Sequence, residues 1–159
     1  MILLIEYADI MEGFQEIPNE ISLLINLANC QNNCKGCHSP WLKNGGQCLT
    51  YDVLDDKLSE GPYTCVCFMG EGNNFRALFE MMKAVRVRNK KVAVYCGRNV
   101  QPLDWITSYC FIPDYLKIGA YEEQYGPLNR PTTNQRLFRL SPFTATIEDI
   151  TPLFWKHLT

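Results

Sequence analysis

Three short segments of this chain are apolar on both faces, and that restricts the fold more than any other feature. They are the run from Ile21 to Ala28 within EISLLINLANC, Thr64 to Met69 within YTCVCFMGEGNN, and KVAVYCG at 91–97, and YLKIGAY at 115–121 reads as a fourth strand. A strand with one wet face alternates apolar and polar residues. These runs do not, so each must be covered on both sides. On Thr64–Met69 the period of two sets Cys65, Cys67 and Met69 on one face and Val66 and Phe68 on the other. Sequences of helical period separate the strands. FRALFEMMKAVRVRN carries Phe75, Leu78, Phe79, Met82 and Val85 in one stripe, with Asn73 or Asn74 as cap. TYDVLDDKL reads as a short helix capped by Thr50 or Asp52, and PLDWITSYC as another. Strands alternating with amphipathic helices predict an α/β fold built of βαβ units, with a mainly parallel sheet. A closed eightfold barrel takes about 250 residues. This chain has 159, so an incomplete (βα) barrel or an open α/β sheet is expected, as a single domain over 1–159. Its core is expected over about 20–140 with a tail at 141–159. NGGQ at 44–47 reads as a turn, NQRLFRL as a further strand, and TPLFWKHL as a short helix with Thr151 as N-cap and Pro152 behind it.

In α/β sheets and barrels ligands gather at the carboxyl ends of the parallel strands. Cys30 follows the first such strand, Gly70 to Gly72 the second, and Gly97 the third, so these loops should converge. The formal net charge is −2 and no Lys/Arg run occurs, which gives no reason to expect nucleic-acid binding. Glu6 and Asp9 interrupt the apolar opening MILLI too early for a signal peptide or a membrane span, so a cytoplasmic protein with no membrane partner is expected. Eight cysteines without an export signal point to metal binding or redox chemistry rather than to a disulfide framework.

Three of the eight, Cys30, Cys34 and Cys37, fall in NCQNNCKGCHSP with the spacing C-x3-C-x2-C. Cys48, Cys65, Cys67, Cys96 and Cys110 are scattered and read as small buried hydrophobes. Structural zinc wants four ligands, usually as two pairs from separate turns. His38 adjoins Cys37 and reaches the same tetrahedron poorly; Cys48 is the better fourth zinc ligand. A [4Fe–4S] cube fits more naturally, because three thiolates in one loop can hold three corners. Gly36 lets the backbone approach the cube closely. The fourth iron then has no protein ligand and stands open to a small molecule.

C-x3-C-x2-C after a first core strand resembles the motif of the radical S-adenosylmethionine enzymes. Met69-Gly70-Glu71 stands where that superfamily carries Gly-Gly-Glu. Within it the chain resembles the anaerobic ribonucleoside-triphosphate reductase activating proteins. The short length carries this, together with Gly36 before the third cysteine, Cys37-His38-Ser39-Pro40 after it, and PTTNQR at 131–136. The resemblance implies an incomplete barrel of the radical SAM type. It implies a cluster on Cys30, Cys34 and Cys37, with S-adenosylmethionine chelating the open iron. Gly36, His38, Gly70, Glu71 and Gly72 would serve the cofactor, while Asn134, Gln135 and Arg136 would touch cofactor or partner. An external low-potential electron donor would reduce the cluster, and cleavage of the cofactor would yield a 5′-deoxyadenosyl radical. That radical would take a hydrogen from a glycine Cα in the glycyl-radical loop of the large anaerobic ribonucleotide reductase subunit. Two other readings remain: an activase of another glycyl-radical enzyme such as pyruvate formate-lyase, and a non-catalytic zinc-binding module.

Overall fold

A computed structural model of the chain describes residues 5–29 and 46–155. The elements run β1 (Glu6–Gly13), β2 (Ser22–Leu27), β3 (Gln47–Cys48), α1 (Tyr51–Leu58), β4 (Cys65–Met69) and α2 (Phe75–Val87). They continue with β5 (Lys91–Tyr95), α3 (Pro102–Tyr109), β6 (Tyr115–Ile118), β7 (Arg136–Leu140) and β8 (Ile147–Asp149), and end in a 3-10 turn at Thr151–Trp155. All eight strands join one open sheet in the order β3-β1-β2-β4-β5-β6-β7-β8.

The three two-sided runs and the fourth strand form its centre, and β2, β4, β5 and β6 pair in parallel. The expectation of a mainly parallel sheet needs correcting at the flanks, where β3, β1, β7 and β8 all pair antiparallel. The chain enters by the β1–β2 hairpin and leaves by the β6–β7 and β7–β8 connections, which need no helical crossover. Gln47, read as part of a turn, lies in β3 opposite Tyr7. Of the helix expected over TPLFWKHL, the part among the described residues, Thr151–Trp155, is a 3-10 turn, and the rest lies outside them. Packing also passes both bounds of the expected 20–140 core, because Ile5, Ile17, Ile150 and Thr151 are buried.

The helices begin where side-chain caps allow. Thr50 accepts from Val53 N–H and Asn74 from Ala77 N–H, each satisfying a donor that the first turn leaves unpaired. All three helices cover one face. Leu54, Leu78, Met82, Val85 and Trp105 pack there on Val66, Phe68, Val92, Val94 and Leu116. The other face holds Leu24, Cys65, Cys67, Ala93 and Tyr115, covered by Ile17 from the β1–β2 loop and by Ile150 beside the 3-10 turn. The faces of β4 are therefore those its alternation predicts. Among the described residues no helix is long and apolar enough to cross a membrane.

One carboxylate ties the amino ends of the four parallel strands together. Glu20, just before β2, accepts from Lys91 Nζ at 2.7 Å, Tyr115 OH at 2.7 Å and Thr64 Oγ1 at 2.8 Å. Burial pushes its carboxyl up, but those hydrogen bonds and the Lys91 charge outweigh that and hold it below 4.5. A lowered carboxyl contributes its stability in full above the ordinary value and loses it as pH falls through the lowered one. Stability to urea should therefore drop on going from pH 7 to pH 3, and Glu20→Gln should shrink that drop. Equal pH dependence in the variant would remove Glu20 as its source.

Candidate functional site

Cys30, Cys34, Gly36, Cys37 and His38 lie outside the described residues, but the structure shows both ends of the segment that carries them. Glu6 on β1 reaches both. Its Oε2 accepts from Asn29 Nδ2 at 2.9 Å and from Gly46 N–H at 3.2 Å. These two bonds, Asn29 first, hold the Glu6 carboxyl below its ordinary value. Asn29 sits at φ +63, a left-handed conformation that asparagine tolerates better than most residues. Gly46 packs so closely that a Cβ would overlap the Tyr7 carbonyl oxygen. The segment 30–45 thus leaves and rejoins the sheet at one neck, beside the carboxyl end of β2. Gly46→Ala should force that neck apart. The expected result is a melting temperature below that of wild type; an unchanged one would contradict a role for this close approach.

The second loop lies against this neck. Gly70 and Gly72 take φ +96 and +66, which side-chain-bearing residues rarely adopt. Gly70 N–H donates to Tyr95 O at 3.0 Å, fastening the loop to the end of β5. A Cβ on Gly70 would meet no atom of the described residues within 4 Å. A Cβ on Gly72 would come 3.7 Å from the Ala28 carbonyl oxygen, two residues before Cys30. The structure therefore brings Gly70 to Gly72 to the root of the cysteine segment.

Glu71 points the other way, into the helical layer. Its Oε1 accepts from Trp105 Nε1 at 2.9 Å, Tyr109 OH at 3.0 Å and Arg98 Nη2 at 2.8 Å; its Oε2 accepts from Arg98 Nε at 2.8 Å. The Cys96 thiol adds a contact at 3.4 Å. Burial pushes the Glu71 carboxyl up, yet the bonds and charge of Arg98, with Trp105 and Tyr109, bring it below 4.5. The carboxylate raises its partners in turn: Arg98 through their hydrogen bonds, Tyr109 by adding to burial, and Cys96, mainly by burial, to about 11. Both oxygens are thus engaged, and what the loop presents outward is its backbone. Arg98, Trp105 and Tyr109 went unrecognised in the sequence, where nothing local links them to Glu71.

On the helix-free face, Asn26, Met69, Tyr95 and Lys117 stand in one row at the carboxyl edge, each the Cα partner of the next. Lys117 Nζ lies 5.5 Å above the Tyr95 ring and donates to Gly119 O at 2.9 Å. Met69 fills volume here with its Sδ 3.7 Å from Cys67 Sγ. Gln135 Nε2 donates to Gly119 O and Asn134 Nδ2 to Ala120 O, while Arg136 pairs with Asp149 and lies over Trp155. Burial pushes the Cys65 thiol up to about 12 and Cys67 well above its ordinary value, so both stay protonated and behave as core residues. Cys48 is exposed in β3 opposite Glu6, and Cys110 is exposed as well. Among the described residues no three His, Cys, Asp or Glu side chains group as metal ligands.

No protein-family model matches the chain, and neither a curated protein nor a solved structure matches it.

Proposed function

We propose that this chain is a radical SAM activase with an incomplete barrel of that type. In this reading Cys30, Cys34 and Cys37 hold a [4Fe–4S] cluster whose fourth iron binds S-adenosylmethionine. The substrate is the glycyl-radical loop of the large anaerobic ribonucleotide reductase subunit. The observation that carries it is the approach of Gly72 to the Ala28 carbonyl, which puts the glycine loop beside the root of the cysteine segment.

What the described residues offer fits an amino acid cofactor. No atom of the described residues crowds Gly70, which suits a group lying against the backbone, and Gly70 and Gly72 hold positive-φ conformations open mainly to glycine. Glu71 works from behind, holding the loop to α3 through Trp105 and Tyr109. Glu6 holds together Asn29 and Gly46, which flank the segment carrying the three cysteines in sequence. When bound and reduced by an external low-potential donor, the cluster and S-adenosylmethionine supply a 5′-deoxyadenosyl radical; the protein's part is placement and exclusion of competing reactions. The open sheet leaves one side accessible to a loop of another protein.

Anaerobic reconstitution tests the metal directly. About four irons per chain with a brown chromophore are expected for a single cube. Stoichiometric zinc in a colourless protein would sink the proposal in favour of a zinc module.

A further inference from the structure

On the helix-free face a cleft of about 720 Å³ opens between the β1–β2 loop and the segment around Leu128, a volume within the range of sites that hold organic ligands. Tyr95, the last residue of β5, stands in its wall, which places the cleft at the carboxyl side of the sheet, where α/β sheets hold ligands. The same residue joins it to the glycine loop. Its carbonyl accepts from Gly70 N–H at 3.0 Å, and its hydroxyl donates to the Glu16 carbonyl at 2.5 Å, fastening the β1–β2 loop. Phe14, Leu128 and Phe154 supply apolar wall, and Phe14 is 62% exposed, an aromatic ring largely without protein cover. Gln15, Asn19 and Asn129, all exposed, also line it, and carboxamides both donate and accept hydrogen bonds. No basic side chain lines it among the described residues. Lys117 is on the same face, but it does not line the cleft, and its Nζ donates to Gly119 O. Glu16 lines the cleft, yet its unpartnered Oε2 is buried beside Gly13 and Leu24 and is not offered to a ligand.

A wall of aromatic and amide residues without a cation leaves phosphates and carboxylates unpaired. It suits a flat, uncharged ring system with hydrogen-bonding edges, because a base stacks on an aromatic face. We propose that the cleft binds the adenosine part of S-adenosylmethionine, with the purine on Phe14 and its polar edge toward the amide residues. This rests on the function proposed above and adds a second subsite to it. The cofactor divides as the site does. Its charged amino acid end belongs at the glycine loop and its uncharged nucleoside in the cleft, with Tyr95 shared between them.

The test uses the full chain after anaerobic reconstitution and radiolabelled 5′-methylthioadenosine, an uncharged nucleoside without the amino acid end, in equilibrium dialysis. Binding is expected, with displacement by excess S-adenosylmethionine. Adenosine 5′-monophosphate should bind at least tenfold more weakly, because nothing in the wall pairs with its phosphate. Phe14→Ala removes an exposed ring and should weaken binding of the nucleoside at least tenfold with the melting temperature unchanged. Leu128→Trp fills the cleft and should do the same; Phe14→Ala carries the test alone if Leu128→Trp lowers the melting temperature. No binding by the wild-type chain, no displacement by S-adenosylmethionine, equal binding of the monophosphate, or wild-type binding by Phe14→Ala would overturn the inference. Cleavage of S-adenosylmethionine by the wild-type chain without reductase is measured in parallel. Its absence, with nucleoside binding and displacement intact, would defeat the activase reading alone and leave the cleft assignment standing.

Discussion

Replacing Cys34 by alanine is expected to abolish cleavage of S-adenosylmethionine, with no 5′-deoxyadenosine formed above the level of a protein-free control. The size of the effect follows from the ligand count. Each thiolate holds one corner of the proposed cube, and the fourth corner already lacks a protein ligand. Loss of a second corner leaves two attachments and no means of keeping the open iron in place. Cys110→Ser supplies the contrast, because Cys110 is exposed at the end of α3, outside the proposed site. It should retain wild-type cleavage. Retained cleavage in Cys34→Ala would remove the cluster assignment.

Glu71→Ala is expected to weaken both fold and site. It strands the buried Trp105 N–H and Tyr109 O–H and leaves Arg98 without its ion pair. Buried donors left unpaired cost roughly 1–3 kcal/mol each, so the variant should lose about 2–6 kcal/mol to urea denaturation. The Arg98 side chain is 45% exposed and can turn to water, which keeps the loss from running higher. Without its latch the Gly70–Gly72 loop samples other positions, and KM for S-adenosylmethionine should rise at least tenfold, more than kcat falls. Glu71→Gln retains an oxygen acceptor and should lie between. If Glu71→Ala kept wild-type stability, the four-donor arrangement would not be what anchors the loop. If it kept stability-corrected KM, Glu71 would have no positioning role.

The centre of the sheet was legible because β2, β4 and β5 are apolar on both faces, a pattern that few environments accommodate, and β6 follows a helical segment as the next strand. The same reasoning missed β1. Its residues are half-buried or exposed from Glu6 to Glu12, as on a strand lying outside the covered centre, and they show no alternation to read. β3 and β8 are two and three residues long and wholly exposed. Gln47 looked like turn sequence because Gly46 precedes it, yet that glycine is required for close approach to Tyr7. Site chemistry divided in a similar way. The cysteine spacing and the glycines after β4 are local and could be read directly. Glu6 acts on residues 23 and 40 positions away, and Glu71 on residues 27, 34 and 38 positions away, and no local pattern encodes such pairings. Glu71 was singled out by its position in the sequence, while the direction of its side chain, into the helical layer, came only from the fold.

The most direct test of the account is EPR of the large reductase subunit after anaerobic incubation with the reconstituted chain, S-adenosylmethionine and a low-potential reductant. A glycyl-radical signal is predicted with the wild-type chain, and none with Cys34→Ala. No glycyl-radical signal from the wild-type mixture, although its cluster is reduced, would contradict the proposed function.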